Sequence, residues 1–497
     1  MSGRHSDPIR GLMSTARSPM FQGRFGRLFR RLRPATFGRT DADTQANLTT
    51  LGAKMSAAFE PPKDGPDEEE SGNPALYTYL GQFIDHDITF DPESSLQKQN
   101  DPDALTDFRT PALDLDNVYG RGPSDQPYLY DPSGQLFVLG ADIHGGTAPA
   151  KDLQRNINGR ALIGDPRNDE NAIVSQLQGL FLRFHNRMVA DQPDKSFEEI
   201  QESVRFHYQF MVVNDFLPRI VHSKVLTALK SGGKYDRRRL EFFKWKNDPF
   251  MPVEFSVAAY RLGHSMVRPG YRLNDNVLLP IFPEPAQGFP EGFTGFRAMN
   301  PQWGIDWGRF IPIDSRPDDG SDADNKRRMQ LAYRIDTSLV NPLSMLPPPV
   351  VSDSPNSLAV RNLLRGFRLG LPSGQDVADA MDVDALKDDD IVIGKATDAK
   401  DPDAVKIVSV SKVFAKNCPL WTYILAEAMH NVEPVKVAGV TINTPKLGPV
   451  GGRIVAEVLL GLLFGSPSSF LSQNPSWTPT IAPSFGLPEF VKYALGM

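Results

Sequence analysis

Apolar residues recur every three or four positions along much of residues 75–275, which places them on one face of an α-helix. Three stretches show this period most clearly, and they are residues 173–188, 197–213 and 252–267. A later apolar run, residues 454–464, contains Glu457 and is too short to span a bilayer. It is therefore predicted to form a buried helix.

Strand signals are sparse along the chain. Residues 391–393 and 405–410 are the best candidates, and the later loops are acidic and proline-rich. No repeat of fixed period is present. The pattern predicts a mainly α fold with few short strands.

The N-terminal 70 residues differ in character from the rest. Residues 1–40 carry nine arginines and one acidic residue, and a polar segment over residues 61–74 follows. We expect residues 1–70 to be a basic arm with a polar linker that packs across the body, a membrane-surface or nucleic-acid arm being the alternative. Residues 71–497 are expected to form one catalytic domain, because candidate site residues spread from Gln82 to Asn362 and one fold must bring them together.

Composition limits the function classes. The 497 residues are 40% hydrophobic and 23% charged, which is typical of a globular chain with a sizeable core. The formal net charge of −6 argues against nucleic acid as the main partner. One cysteine, Cys418, excludes an internal disulfide, and residues 1–40 lack the apolar core of a signal peptide. We therefore expect a cytoplasmic or leaderless secreted protein without a transmembrane segment.

The first chemical motif is a histidine between two aspartates in an apolar segment, Gly-Gln-Phe-Ile-Asp-His-Asp-Ile-Thr-Phe over residues 81–90. Charged groups are rarely buried unless they are paired or bound to a metal. One helix face would carry the side chains of Gln82, Asp85, His86 and Thr89. Asp87 would point about 200° away from Asp85, and the Asp-Pro that follows predicts the helix end. An exposed polar turn is the alternative.

The second motif offers oxygen ligands at alternate positions of residues 110–116. These are the Thr110 hydroxyl, the Ala112 carbonyl and the carboxylates of Asp114 and Asp116. Hard oxygen ligands suit Ca²⁺, and Asp87 of the first motif completes the set. The alternative is a loop of solvated aspartates.

The third motif, Gly-Asp-Pro-Arg-Asn-Asp-Glu-Asn over residues 164–171, leads into a predicted helix. Arg167 and Glu170 lie before or within its first turn, where an acid complements the helix dipole, so Glu170 could be a capping-turn residue. His185 on the same helix is expected to be a hydrogen-bonded structural histidine.

The fourth motif is Arg-Leu-Gly-His over residues 261–264. Arg261 and His264 share a helix face, and Gly263 would allow a large flat group to approach the backbone. A lone core histidine is usually structural. Beside a planar anion, however, this pair would offer an axial nitrogen and a carboxylate partner together.

Together these motifs resemble the animal-type haem peroxidases of the peroxidase–cyclooxygenase superfamily, in a bacterial form. The resemblance covers roughly residues 70–475, and its motifs occur in the family order. They are Gly-Gln-x-x-Asp-His-Asp, Asp-x-x-x-Val-Tyr-Gly, Gly-Asp-x-Arg-x-x-Glu, Leu-x-x-x-His-Asn-Arg and Arg-x-x-Gly-His. The Leu-x-x-x-His-Asn-Arg motif departs from the family spacing here, because Leu182 lies one place later than the family leucine. The expected fold is the helical fold of these peroxidases.

The resemblance implies the roles of the distal residues. His86 would take a proton from peroxide and pass it to the leaving oxygen. Gln82 would line the same pocket, and Arg167 would stabilise charge as the O–O bond breaks.

It also implies two cofactors, haem b and calcium. His264 would be the proximal iron ligand, oriented by Asn362, although the sequence around Asn362 diverges from the family. Arg261 and Arg365 would hold the haem propionates, and Asp85 and Glu170 match carboxylates that become esterified to haem methyls. The calcium residues would be Asp87, Thr110, Ala112, Asp114 and Asp116.

The implied activity is reduction of hydrogen peroxide with oxidation of iodide, thiocyanate, bromide or phenols through a high-valent haem intermediate, as in a response to oxidative stress. Asn171 follows Glu170, where chlorinating members carry a methionine that makes a sulfonium link. Chloride is therefore expected to be oxidised poorly or not at all.

Two rival functions are weaker. A haem-dependent fatty-acid dioxygenase needs a radical-forming tyrosine one helical turn before the proximal histidine, but Arg261 occupies that place and Tyr260 lies one residue too early. A non-catalytic haem-binding protein would need only His264. The presence of Gln82, His86 and Arg167 argues against it.

Overall fold

The computed structural model describes residues 23–89, 106–107, 111–246, 248–316, 326–348, 350–351, 354–398 and 401–497. Its longer helices are α1 (Asp41–Lys54), α2 (Leu76–Ile88), α4 (Ala172–Asp191), α5 (Phe197–Met211), α9 (Leu358–Arg368), α12 (Leu420–Met429), α13 (Pro449–Gly465) and α15 (Leu487–Leu495). Short helices are α3 (Asp116–Tyr119), α6 (Leu217–Ile220), α7 (Ser223–Ala228), α8 (Val253–Ser256), α10 (Gly374–Ala380), α11 (Ile407–Val410) and α14 (Phe470–Gln473). Two 3₁₀ helices, Pro166–Asp169 and Ala259–His264, flank the candidate site.

The strands are short and form small separate sheets. They are β1 (Gly23–Gly26), β2 (Glu70–Pro74), β3 (Thr106–Asp107), β4 (Leu139–Ile143), β5 (Ala150–Leu153), β6 (Lys230–Ser231), β7 (Lys234–Tyr235), β8 (Met251–Pro252), β9 (Gly270–Asn274), β10 (Val277–Pro280), β11 (Leu331–Tyr333), β12 (Val392–Ile393), β13 (Val405–Lys406), β14 (Val432–Val437) and β15 (Val440–Pro445). Strand β1 pairs antiparallel with β3 and parallel with β8, while β2–β11, β4–β5, β6–β7, β9–β10, β12–β13 and β14–β15 are antiparallel pairs. The prediction of a mainly α fold with short strands is confirmed.

Helices α4 and α13 form the centre of the core. Most of α4 is buried, and it packs against α2, α5 and α15. Phe181 of α4 stacks on Phe83 of α2 with ring centroids 4.3 Å apart. Helix α13 packs against α12 and the Ala259–His264 helix. This packing brings α2, which carries His86, and the segment of His264 onto one core.

The acid inside the apolar run of α13 has a structural reason. Glu457 is fully buried and accepts hydrogen bonds from the backbone N–H groups of Phe242 (2.7 Å) and Phe243 (3.0 Å). Arg453, one turn earlier, donates to the same carboxylate. A paired and hydrogen-bonded carboxylate can be buried without the full cost of desolvation.

The predicted helix over residues 252–267 is wrong in part, because the chain forms α8 and then a separate 3₁₀ helix. Between them Ala258 has φ −126° and ψ −72°, outside helical geometry. The Ser256 carbonyl accepts a hydrogen bond from the Arg261 side chain (2.9 Å) rather than continuing a helical ladder. Residues three apart eclipse in a 3₁₀ helix, so Arg261 and His264 still share a face.

Other element boundaries also differ from the sequence pattern. Of the strand predicted over residues 405–410, only β13 forms, and Ile407–Val410 is helical. Helix α5 ends at Met211 and continues as one π-helical turn, Val212–Phe216. The longest hairpin, β14–β15, was not predicted from the sequence.

The described part of the N-terminal arm packs on the body. Arg27 donates to the carbonyls of Leu369 (2.6 Å) and Gly370 (3.0 Å). The backbone N–H groups of Leu28 and Phe29 donate to the buried carboxylate of Glu254. The domain boundary at residue 70 stays a prediction. Within the described ranges, no helix combines the length and apolar character needed to cross a membrane.

Candidate active site

The orientation of His86 is set by a chain of two amides. Asn168 Nδ2 donates to Gln178 Oε1 (2.8 Å), so its oxygen faces His86 Nδ1 at 2.7 Å. Nδ1 therefore carries the proton and Nε2 keeps a lone pair. Burial, assisted by the positive charge of Arg167, lowers the pKa of His86 to about 4. The ring is neutral near neutral pH and can accept a proton at Nε2.

Arg167 is held at the end of α2. Its guanidinium pairs with the buried Asp165 (2.7 Å) and donates to the backbone carbonyls of His86 (3.0 Å) and Thr89 (2.6 Å). These bonds join the loop before α4 to the turn that carries His86. The structure thus places a fixed positive charge beside the neutral imidazole.

Gln82 lies one helical turn before His86 and contacts Glu170. Its Nε2 donates to the Glu170 carboxylate, and its Oε1 accepts from Asn171 Nδ2 (3.2 Å). Asn171 also caps α4 by accepting from the N–H groups of Ile173 (3.1 Å) and Val174 (2.9 Å). The cap residue is therefore Asn171, not Glu170. Burial raises the pKa of Glu170 to about 7.

His264 lies on the other side of the candidate site. Asn362 Nδ2, on α9, lies 2.8 Å from His264 Nδ1. With the amide turned over, its oxygen would accept the Nδ1 proton and leave the Nε2 lone pair available to a ligand. Burial, with the charge of Arg261 as the second cause, lowers the pKa of His264 to about 3. Arg365 is half-buried one turn beyond Asn362 on α9.

A space suited to a flat group adjoins Gly263. A Cβ added at this glycine would meet no atom within 4 Å in the described structure. The Tyr260 hydroxyl is buried with no hydrogen bond to the described residues, and the nearby Asp85 carboxylate helps burial to raise the Tyr260 pKa. An open glycine, a neutral imidazole and an unsatisfied buried hydroxyl fit a planar, metal-bearing cofactor such as haem.

A group of three carboxylates includes one residue of α2, one from the loop that precedes α3 and the first residue of α3. Oxygen atoms of Asp87, Asp114 and Asp116 all lie within 4.8 Å of one another. Asp87 is fully buried, and its pKa is raised first by burial and then by the two neighbouring charges. Its Oδ2 accepts from the Leu115 N–H (3.3 Å), whereas its Oδ1 makes no hydrogen bond of good geometry to the described residues.

This carboxylate group fits a Ca²⁺ ion. One buried and two half-buried carboxylates that converge need a cation to offset their repulsion, and carboxylate oxygens are the ligands that calcium prefers. Leu115 has φ +63°, a left-handed conformation that bends the loop between Asp114 and Asp116. Ala112 is buried in the same loop, and Thr110 lies outside the described residues.

Two residues near the site, Asn168 and Asp165, were given no role from the sequence, and the helix cap at Asn171 was not predicted. All three belong to the 164–171 motif, so their position between Gly164 and α4 was the available signal. His185 is a structural histidine, as expected. Its Nδ1 hydrogen-bonds with the Tyr119 hydroxyl (3.0 Å) and its Nε2 with the Gln135 carbonyl (2.9 Å).

Several known proteins are similar to this chain in sequence. The family model described as "Animal haem peroxidase" matches residues 96–284. A peroxidase-like protein of Margaritifera margaritifera is 25% identical over 281 residues, which are 45% of this chain and 34% of that protein. Thyroid peroxidase of Canis lupus familiaris is 27% identical over 239 residues, 43% of this chain and 24% of that protein. Myeloperoxidase of Mus musculus is 23% identical over 312 residues, 46% of this chain and 41% of that protein. The matches thus span less than half of each relative.

Solved structures show the same fold across most of the chain. Peroxidase A from Dictyostelium discoideum superposes with a TM-score of 0.58 at 16% identity, covering 91% of this chain and 89% of that chain. The Oryza sativa fatty acid alpha-dioxygenase gives a TM-score of 0.52 at 15% identity, covering 94% and 77%. The chain is thus similar to animal haem peroxidases in the sequence of its central region and in its fold.

Proposed function

We propose that the protein is a peroxidase that reduces hydrogen peroxide and oxidises small donors such as iodide, thiocyanate, bromide or phenols. The observation that carries this proposal is His86, a neutral histidine whose Nδ1 proton is directed to Asn168 and whose Nε2 is free to accept a proton. Haem storage would need only a ligand such as His264.

The distal residues divide the proton chemistry. His86 Nε2 accepts a proton from one oxygen of the peroxide and delivers it to the departing oxygen, which then leaves as water rather than as hydroxide. Arg167, fixed by Asp165 and two backbone carbonyls, stabilises the negative charge that develops as the O–O bond breaks. Gln82 orients the substrate or water in the same pocket.

Haem b, when bound, supplies the iron at which peroxide is reduced and stores the oxidising equivalents for the donor. His264 would hold the iron through Nε2, and the Asn362 amide oxygen would then accept the Nδ1 proton and keep the ring oriented. Arg261 and Arg365 would hold the propionates. Asp85 and Glu170 would form the ester links.

Calcium would be held by the Asp87, Asp114 and Asp116 carboxylates, with the Thr110 hydroxyl and the Ala112 carbonyl as further ligands. Asp87 directly follows His86, so an ion there would fix the distal turn. Its role is positional.

The only structural support for the dioxygenase alternative is the fold likeness to fatty acid alpha-dioxygenases such as the rice enzyme. Arg261, not a tyrosine, stands three residues before His264. Tyr260 stacks on Phe255 with ring centroids 4.7 Å apart, and its hydroxyl lies near Asp85. This arrangement favours the peroxidase.

The test is an absorption spectrum of the haem-loaded protein, followed by stoichiometric hydrogen peroxide and then iodide, bromide or guaiacol. We expect peroxide to change the Soret band and each donor to restore it. His86→Ala should slow the peroxide step by about 10²–10⁴-fold while the ferric Soret band persists. His430→Ala, an exposed histidine, is the matched control.

A Soret band indifferent to peroxide would contradict the proposal. So would a His86→Ala variant that reacts at the rate of the native protein. Absence of haem uptake would remove its basis.

A further inference from the structure

A surface that includes none of the candidate site residues carries a concentration of exposed cations. It consists of Arg30, Arg31 and Arg33 of the arm together with Arg237–Arg239, Lys244 and Lys246, all exposed, and is called the basic face below. Two acids lie nearby: Asp236 pairs with Arg238 of the face itself (2.7 Å), and Glu241 pairs with Arg453 outside it (3.3 Å). The chain as a whole has a net charge of −6. The basic face is thus a local excess of positive charge on an acidic protein.

A continuous strip of aromatic rings joins the two segments of the basic face. The Arg237 guanidinium lies 4.8 Å from the Trp245 ring centroid, and Trp245 lies 5.1 Å from Phe243. Phe243 lies 5.3 Å from Phe250, and the Arg30 guanidinium lies 5.8 Å from Phe250. Trp245 and Phe250 are half-buried, whereas Phe243 is fully buried beneath them. Exposed cations at both ends of the strip therefore lie over aromatic rings that are partly accessible to solvent.

Two buried carboxylates hold this surface in place. Glu254 accepts from the backbone of Leu28 and Phe29, just before the arm arginines. Glu457 accepts from the backbone of Phe242 and Phe243, just before Lys244. Both carboxylates are fully buried. Since their hydrogen bonds fix the backbone, the cationic side chains are presented on a defined surface.

We propose that the basic face docks the protein on an anionic lipid surface. Clustered Arg and Lys attract acidic headgroups, and half-buried Trp and Phe suit the boundary between headgroups and acyl chains. The cations are on a loop and one 3₁₀ turn, so no helix or β-ribbon of this face could enter a DNA groove to read bases. Lipid therefore fits the combination of charge and aromatic surface better than nucleic acid does.

The test uses the full-length, haem-loaded protein and two kinds of vesicle, phosphatidylcholine alone and phosphatidylcholine mixed with phosphatidylglycerol. Flotation should recover the protein only with the anionic vesicles, and added salt should weaken binding. The triple variant Arg237→Gln, Arg238→Gln, Arg239→Gln should bind about a hundredfold more weakly, which corresponds to about fivefold for each cation lost.

The control is Arg160→Gln, Lys195→Gln, Lys436→Gln, three exposed cations on other segments of the chain, with the same change of net charge. It should bind as the native protein does. An equal loss in both triple variants would show a general charge effect and overturn the proposal, as would failure of the native protein to bind anionic vesicles. Tighter binding of a short DNA duplex than of the vesicles at the same salt would overturn the lipid assignment. None of these outcomes depends on peroxidase turnover.

Discussion

At the scale of single residues, Asn168 decides which nitrogen of His86 carries the proton. Its amide is oriented by Gln178, and this orientation leaves only its oxygen for the imidazole. A histidine acts as a base only when its reacting nitrogen holds a lone pair, so the preparation of His86 lies in residues that never touch a substrate. Asn168 is therefore a positioning residue.

Replacement of Asn168 should separate positioning from haem binding. Asn168→Ala removes the acceptor at Nδ1, and we expect kcat/KM for peroxide to fall by about 10–100-fold with the ferric Soret band retained. Asn168→Asp keeps an acceptor but adds a negative charge, so it should recover part of the rate and raise the pH at which activity is lost. Stopped-flow rates over a pH series measure both effects. Unchanged rates in Asn168→Ala would contradict the assignment.

The pH dependence follows from the charge around His86. The neutral ring is the reactive form, and its pKa is lowered to about 4 by burial and by Arg167. The rate should therefore persist at neutral pH and fall as pH drops through about 4. Arg167→Gln removes a positive charge, so it should raise the pKa of His86 and move this loss to higher pH. Arg160→Gln, an exposed arginine before the same motif, should not move it.

At the scale of elements, the site depends on how loops attach to α2. The 164–171 segment holds the end of α2 through Arg167, and the loop containing Asp114 approaches its opposite face through Asp87. A helix held from both sides keeps Gln82 and His86 in place. The two loops are thus parts of one support.

Calcium should stabilise this support. An ion that binds only the folded protein adds about 2.7 kcal/mol at a hundredfold excess over its dissociation constant. We expect added Ca²⁺ to raise Tm and chelation to lower it. Asp114→Asn should abolish most of this response, whereas the exposed Asp194→Asn should not. Calorimetry with and without Ca²⁺ makes the comparison, and a native Tm indifferent to calcium would count against the site.

At the scale of the whole molecule, segments distant in sequence are tied by buried charged groups. Glu254 accepts a hydrogen bond from Leu28 of the arm, which lies 226 residues earlier in the sequence. Glu457 binds the 242–243 segment in the same manner. Since a buried carboxylate needs hydrogen-bond donors, each of these bonds fixes the position of the segment whose backbone N–H donates it.

Loss of the Glu254 carboxylate should release the arm. Glu254→Ala leaves two backbone N–H groups without their acceptor, and we expect a loss of about 1–3 kcal/mol in the free energy of unfolding. Limited proteolysis with trypsin should then cut among Arg27, Arg30 and Arg31 before the body is digested. The exposed Glu291→Ala is the control. Equal resistance of both variants would show that other contacts hold the arm.

Much of the helical architecture was predictable because it is local. The apolar period located all of α5 and most of α4 and α13. The Asp91-Pro92 pair placed His86 in the last turns of a helix, and helical spacing turned Asp87 away from Asp85. Local periodicity did not predict the structure of residues 252–267, where the Arg261 side chain donates a hydrogen bond to the Ser256 carbonyl. It also did not predict β14 and β15, which are stabilised by pairing with each other. Propensity is overridden where a tertiary contact satisfies the backbone differently.

The sequence by itself determined which side chains each helix face offers, because helical spacing is a property of the chain alone. The sequence also contains the four motifs and the excess of arginine over residues 1–40, which can be read without a structure. Only the tertiary structure decided the partners: Asn168 for His86, Asn362 for His264, Asp165 for Arg167 and Glu254 for the arm. The two members of the His86–Asn168 pair are 82 residues apart, and those of the His264–Asn362 pair are 98 apart. Such pairings depend on how helices and loops pack in three dimensions, which no local pattern specifies.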